Sequence, residues 1–232
     1  MRAEIKVRTV QLLEEVLGKR RVSRILLSQY IKRMEKAGLL FIHIPKAAGT
    51  SIATEIYGSR VGHTKLQALI DWYGRAKFES QPSFSVVRNP YTRVLSAYLF
   101  ARAGGTKHGA VRNPARYRKN EFKCFKSFVC DWLAHGPLIE KDIIFQPQAF
   151  FLQSKEGVSP TFVGRVEELS KVEAFVGEAL GRPISFSVIN VSSKKKAWQS
   201  YYDIETKAAI KKLYSVDFLS FGYDDSLEIA EK

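Results

Sequence analysis

Phe41-Ile42-His43-Ile44-Pro45-Lys46-Ala47-Ala48-Gly49-Thr50-Ser51-Ile52 decides the fold class. The apolar run from Leu39 to Ile44 predicts a buried strand. A tight turn of small residues follows, and Thr50 or Ser51 is placed to cap a helix beginning near Ile52. Strand, small-residue loop and helix N-terminus together make an anion cradle. Backbone N–H groups converge on one spot, where the helix dipole also favours negative charge. Lys46 adds a full positive charge. The triphosphate-binding pattern G-x-x-x-x-G-K-[ST] is not met: no Gly opens the loop, and Lys46 precedes Gly49 instead of directly preceding Thr50. The loop is built for an anion other than Mg-bound triphosphate.

The rest of the chain suits one mixed α/β domain. Its 232 residues are 45% hydrophobic and 12% aromatic, enough for a sizeable core. A net charge of +14, from 37 Lys+Arg against 23 Asp+Glu, attracts phosphorylated cofactors, acidic glycans, nucleic acid or anionic lipid without choosing among them. Cys124 and Cys130 lie six apart in one predicted helix, a spacing that suits neither a metal clip nor a disulfide, so reduced, packed thiols are expected. No apolar run reaches the roughly 20 residues of a membrane span, and Met1-Arg2-Ala3-Glu4 lacks the apolar core of a secretory signal. The expectation is a cytoplasmic protein.

Residues 5–37 read as two helical stretches broken near Gly18, with Gly38 as the stop. They predict an N-terminal helical extension (1–38) packed on a main domain (39–232). The second stretch is basic and amphipathic, a pattern that fits a helix covering a core and also peripheral contact with a membrane. Further along, Phe84–Val87 and Phe162-Val163 read as short strands, a strand end is expected at Ile189, and Phe122–Leu133 has helical spacing. Leu169–Leu180 carries a helical stripe stopped by Gly181, and Asp203 is placed to cap a helix running to about Tyr214. Together these predict a mostly parallel central sheet flanked by helices.

A second anion site is legible in Val87-Arg88-Asn89-Pro90-Tyr91-Thr92-Arg93-Val94-Leu95-Ser96-Ala97-Tyr98. Arg88 ends a strand, where ligands collect in open α/β sheets. Asn89 and Pro90 match the preferences of a helix start. Ser96 then lies about 10 Å along the helix, within reach of a long guanidinium sharing one phosphate.

These two motifs, in this order, resemble those of the carbohydrate sulfotransferases that use 3′-phosphoadenosine-5′-phosphosulfate (PAPS). Phe145-Gln146-Pro147-Gln148, Phe162-Val163-Gly164-Arg165-Val166-Glu167, and Leu213–Phe218 with Phe221-Gly222-Tyr223 are similar to three further family segments. The similarity spans about residues 39–223 and implies a P-loop-like sulfotransferase fold. It implies that Lys46, Ala47, Ala48, Gly49, Thr50 and Ser51 bind the 5′-phosphosulfate, and that Arg88 and Ser96 bind the 3′-phosphate. Ser193 and Lys194, in a late basic loop, are candidates for the same cofactor.

Sulfuryl transfer needs an in-line acceptor hydroxyl, a base for its proton, and a counter-charge for the departing 3′-phosphoadenosine-5′-phosphate (PAP). Lys46 is placed for the last task, and no metal is required. His63 is the candidate base, near the acceptor. His43 reads as structural, while Glu55 and Glu79 are weaker candidates for the base. Gln148 and Arg165 are candidate acceptor contacts. Residues 102–126 hold eight Lys/Arg against Glu121 alone, which points to an acidic carbohydrate or glycoconjugate acceptor. Two other readings stand beside this one. A P-loop kinase with a degenerate loop would have its Lys out of register. A non-catalytic nucleic-acid-binding protein would explain the charge, but no reading helix or stacking signature accompanies it, so nucleic acid is not expected as a partner.

Overall fold

The computed structural model describes residues 2–106, 109–186 and 198–226. The expected strand end at Ile189, the candidates Ser193 and Lys194, and His108 fall outside them. Helices α1 (Arg2–Leu17) and α2 (Lys19–Ala37) are broken at Gly18, whose φ of 79° suits glycine. Gly38 ends α2 in the left-handed conformation, and its amide and that of Leu39 close on the carbonyls of Glu35 and Met34.

Strand β1 (Leu40–Ile42) leads through the loop to α3 (Gly49–Tyr57), then α4 (Leu66–Tyr73) and α5 (Arg75–Glu79). Strand β2 (Ser83–Val87) precedes α6 (Pro90–Arg102) and a small antiparallel hairpin, β3 (Gly105–Thr106) and β4 (Gly109–Ala110). The remaining elements are α7 (Phe125–Ser127), α8 (Ala149–Leu152), β5 (Phe162–Arg165), α9 (Leu169–Leu180), α10 (Ile204–Leu213) and α11 (Ser215–Phe221).

The main sheet has the order β1-β2-β5 and is parallel throughout. Every residue of β1 and β2 is buried because helices cover both faces; β1 is wholly apolar, whereas in β2 the buried Ser85 Oγ donates to Ile42 O at 2.7 Å. Phe41 pairs with Phe84 in register, and their rings stack at 4.6 Å. Val87 pairs with Arg165, so the C-terminal ends of the strands lie together at the side from which the loops after β1 and β2 depart.

Helix α2 packs on the domain, with Ile31 and Met34 in the core around β1, α3 and α9. One correction bears on the site. Residues 122–133, expected as one helix, form the end of a 3₁₀ turn, the three-residue α7 and a π turn (Phe128–Leu133). Cys124 is extended there, and its Sγ accepts the Ser127 N–H. It is exposed instead of packed, while Cys130 is half-buried. The helical spacing arose from Phe122, Phe125 and Phe128, which meet Tyr98, Tyr117 and Phe145 in an aromatic core; that packing overrides the helix period.

Candidate active site

The loop after β1 carries two non-glycine residues at positive φ, Lys46 at 68° and Ala48 at 58°. Each such residue costs about 1–3 kcal/mol and persists only where its surroundings dictate it. The consequence is a row of unpartnered donors. Ala48, not Thr50 or Ser51, stands at the N-cap of α3, and no side chain caps the helix. The amides of residues 47–50 donate to no acceptor among the described residues, although Ala47 and Gly49 are buried. Buried amides without partners at a helix N-terminus form a site for an anion. The hydroxyls of Thr50 and Ser51 make no hydrogen bond among the described residues and stand in the first turn of α3.

Below this loop lies His43, one residue past β1. A Cβ on Gly49 would fall 2.0 Å from His43 Cδ2, so glycine is required by close approach and not by its φ. A carbonyl can only accept, so Nδ1–H of His43 donates to Val61 O at 3.0 Å. Burial, followed by the charge of His63, holds the His43 pKa well below the usual imidazole value. His43 is buried and tied to the backbone of Val61, in keeping with a structural role.

His63 stacks obliquely on His43 with ring centroids 4.2 Å apart, and its Nδ1 lies 3.3 Å from the His43 carbonyl. That contact makes Nδ1 the protonated nitrogen and leaves Nε2 as the acceptor. The residue is solvent-accessible although protein atoms surround it closely. Desolvation first, then the charges of Arg93 and Lys46, pull its pKa down to about 4. Helix α2 positions this segment. A Cβ on Gly62 would lie 2.3 Å from the Tyr30 ring, and Arg33 Nη1 donates to Arg60 O at 2.8 Å.

Lys46 is half-buried, with Nζ 4.2 Å from the centroid of Phe100 on α6. Arg88, at the end of β2, donates from Nε to Thr92 Oγ1 at 2.9 Å, and its Nη1 lies 3.5 Å from Lys46 O. The guanidinium therefore borders the anion loop. Desolvation lowers its pKa, and Glu167 and Tyr223 act in the opposite direction. Ser96 is half-buried one turn beyond Thr92 on α6 and makes no hydrogen bond with Arg88 among the described residues. Unlike α3, α6 is capped: Asn89 Oδ1 accepts the Tyr91 N–H at 3.0 Å, and Pro90 opens the first turn. A second anion here would meet side chains, not helix amides.

The remaining motifs are brackets. The sequence offers Gln148 as an acceptor contact, but it is fully buried and its side-chain amide bonds both the N–H and the carbonyl of Arg88. Asp217 accepts the amides of Gln148 and Ala149 at 2.8 and 2.9 Å. Arg165 places its guanidinium on the carbonyls of Phe221 and Gly222 and over the Tyr223 ring. Glu167 accepts the Asn89 N–H and the Tyr223 hydroxyl, each at 2.9 Å.

Two contributors escape sequence reasoning. Thr92 fixes the Arg88 guanidinium. Arg93 is buried beneath the loop, with Nε donating to Pro45 O at 3.0 Å, Nη1 to Gln146 O at 2.9 Å, and Nη2 without a hydrogen-bond partner among the described residues. Thr92 offers one signal, its i, i+4 relation to Ser96 on α6; Arg93 offers only its place in the motif.

A model of the sulfotransferase family matches residues 29–224. The chain belongs to the sulfotransferase family. The match begins within α2, in keeping with that helix's place in the core. No curated protein and no solved structure matches this sulfotransferase. Membership implies an enzyme that moves a sulfuryl group from a PAPS-type donor to an acceptor. Among the described residues, no group of three His, Cys, Asp or Glu side chains is placed to hold a metal ion.

Proposed function

We propose that this sulfotransferase uses PAPS and sulfates a hydroxyl of a carbohydrate or glycoconjugate. The observation that carries the reading is the uncapped start of α3, with the unpartnered amides of residues 47–50 and the Arg88 guanidinium at the rim. The strained turn at Lys46 and Ala48 suits the same anion. In this reading residues 46–51 hold the phosphosulfate, and Arg88 and Ser96 hold the 3′-phosphate.

The donor supplies an activated sulfuryl group. An acceptor hydroxyl oxygen bonds to sulfur as the bond from sulfur to PAP breaks, and His63 Nε2 takes the hydroxyl proton. At neutral pH His63 is unprotonated, as a base must be. Lys46 neutralises charge gathering on the departing phosphate, and the fixed amides do so without reorganising. An anion beside Lys46 and Arg93 offsets the cations that depress His63, so the base strengthens when the donor is in place.

An acidic acceptor is the finer part of the proposal. Arg112 pairs with Glu14, and Lys126 with Asp203 and Glu205. Arg116, Arg118, Lys119 and Lys123 are exposed on the same basic segment. That segment meets α6 next to Phe100, the ring under Lys46.

The experiment is transfer of radiolabelled sulfate from PAPS to a panel of neutral and acidic glycans in the presence of a chelator. Labelled glycan, favouring acidic members, is expected. Failure to bind PAP, together with Mg-dependent loss of ATP, would overturn the reading in favour of a kinase.

A further inference from the structure

Helix α1 has two dissimilar sides. Its inner side is attached to the domain: Gln11 Nε2 donates to Arg112 O at 3.2 Å, Glu14 pairs with Arg112, and Val7 and Val10 are half-buried against the body. Its outer side carries Ile5, Leu12, Leu13 and Val16, which the helix period places on one face. Leu12 is 62% exposed and Val16 80%. Nothing covers this ridge among the described residues. Surface aliphatics scattered singly need no explanation, but a contiguous ridge does.

The charge at the C-terminal end of the ridge identifies its occupant. Lys19, Arg20, Arg21 and Arg24 come directly after the break at Gly18; all are exposed, and none pairs with a carboxylate among the described residues. Aliphatic surface ending in uncompensated cations complements an anionic lipid interface, where side chains enter the acyl boundary and cations meet headgroups. A second copy of the chain fits less well, since each copy carries a net charge of +14. No helix among the described residues is long and apolar enough to cross a membrane, and the one-sided ridge of α1 suits a helix lying in the interface.

We propose that α1 docks this sulfotransferase on an anionic lipid surface through Ile5, Leu12, Leu13 and Val16, with the cations at the start of α2 binding headgroups. The inner side of α1 meets β4, and Gly109 of β4 approaches Phe100, whose ring carries Lys46. The proposal stands apart from the identity of the acceptor.

The test is co-sedimentation of the full chain with vesicles of phosphatidylcholine alone and of phosphatidylcholine mixed equally with phosphatidylglycerol. Binding to the mixed vesicles only is expected. The L12S/V16S double variant, altered at exposed positions, should keep its far-ultraviolet circular dichroism and lose about tenfold in partitioning. Arg20→Ser with Arg21→Ser and Arg24→Ser should weaken binding similarly. No sedimentation with mixed vesicles overturns the proposal, and so does a double variant that sediments like the parent, because net charge alone then accounts for binding. A dimer in analytical ultracentrifugation that L12S/V16S dissolves, without vesicle binding, assigns the ridge to a second copy instead.

Discussion

Gln148 places both ends of its side-chain amide on the backbone of Arg88. Its Oε1 accepts the Arg88 N–H at 2.9 Å, and its Nε2 donates to the Arg88 carbonyl at 2.8 Å. The strand end that aims the guanidinium is thus held by a residue that does not face the ligand. Arg88→Ala removes the charge and should weaken PAP binding by about 1.5–3 kcal/mol, the value of a charge-assisted contact. Gln148→Leu keeps the charge but strands two backbone groups, and should cost roughly 2–4 kcal/mol of stability as well as PAP affinity. Calorimetry with PAP and urea denaturation separate the two effects. Unchanged PAP affinity in Arg88→Ala would remove Arg88 from the donor site.

Lys46 combines a charge with an unfavourable backbone. Replacing it with Ala removes the proposed counter-charge for the departing group and should lower turnover about 10²–10³-fold while the fold persists. Lys46→Gly adds relief of the left-handed φ and should gain roughly 1 kcal/mol in stability while remaining as impaired. Turnover measured beside thermal unfolding checks both variants. Near-normal turnover in either one takes Lys46 out of the chemistry.

Gly49 and His43 form a steric pair. A methyl group on Gly49 meets an imidazole held by Val61 and stacked with Phe41 and His63, so the ring cannot swing away. Gly49→Ala should cost about 1–3 kcal/mol and disturb the amide row, lowering PAP affinity. Adding His43→Ala reopens the space and should restore part of the affinity. A single variant that binds PAP like the parent would show that the loop accommodates the methyl group.

The places of the two motifs in the fold are legible in the sequence, because each couples a local pattern to a strand end: an apolar run before a small-residue loop, and an Arg before the Asn-Pro helix start. Helix ends at Gly38, Gly58 and Gly181 are legible too, since all three adopt positive φ. The cap of α3 is not. Thr50 and Ser51 look like caps in sequence, but the loop turns at Lys46 and Ala48, and no local pattern marks left-handed φ at residues other than glycine. Gln148 misleads for a different reason. A buried side chain that bonds the backbone of another segment has the same residue type as one facing a substrate, and only tertiary structure separates them. Among the described residues the three expected strands form the parallel sheet β1-β2-β5, and helices make up most of the rest.

His63 links the site to pH. Desolvation and the charges of Arg93 and Lys46 lower its pKa from 6.5 to about 4, and His43 is lowered as well. Both rings stay neutral in the fold at a pH where the unfolded chain already takes up protons. Stability should therefore be full above about pH 6.5 and fall as pH drops toward about 4. The free enzyme should retain an unprotonated His63 through mildly acidic pH, so protonation of this base should not reduce activity near pH 6. PAP adds negative charge beside the two cations and should raise the His63 pKa. Following the imidazole proton resonances of His63 through a pH titration, with and without PAP, measures this directly; His63→Gln assigns the signal. An ordinary imidazole titration that PAP leaves unmoved would place His63 away from both cations and from the donor, and with it the proposed base.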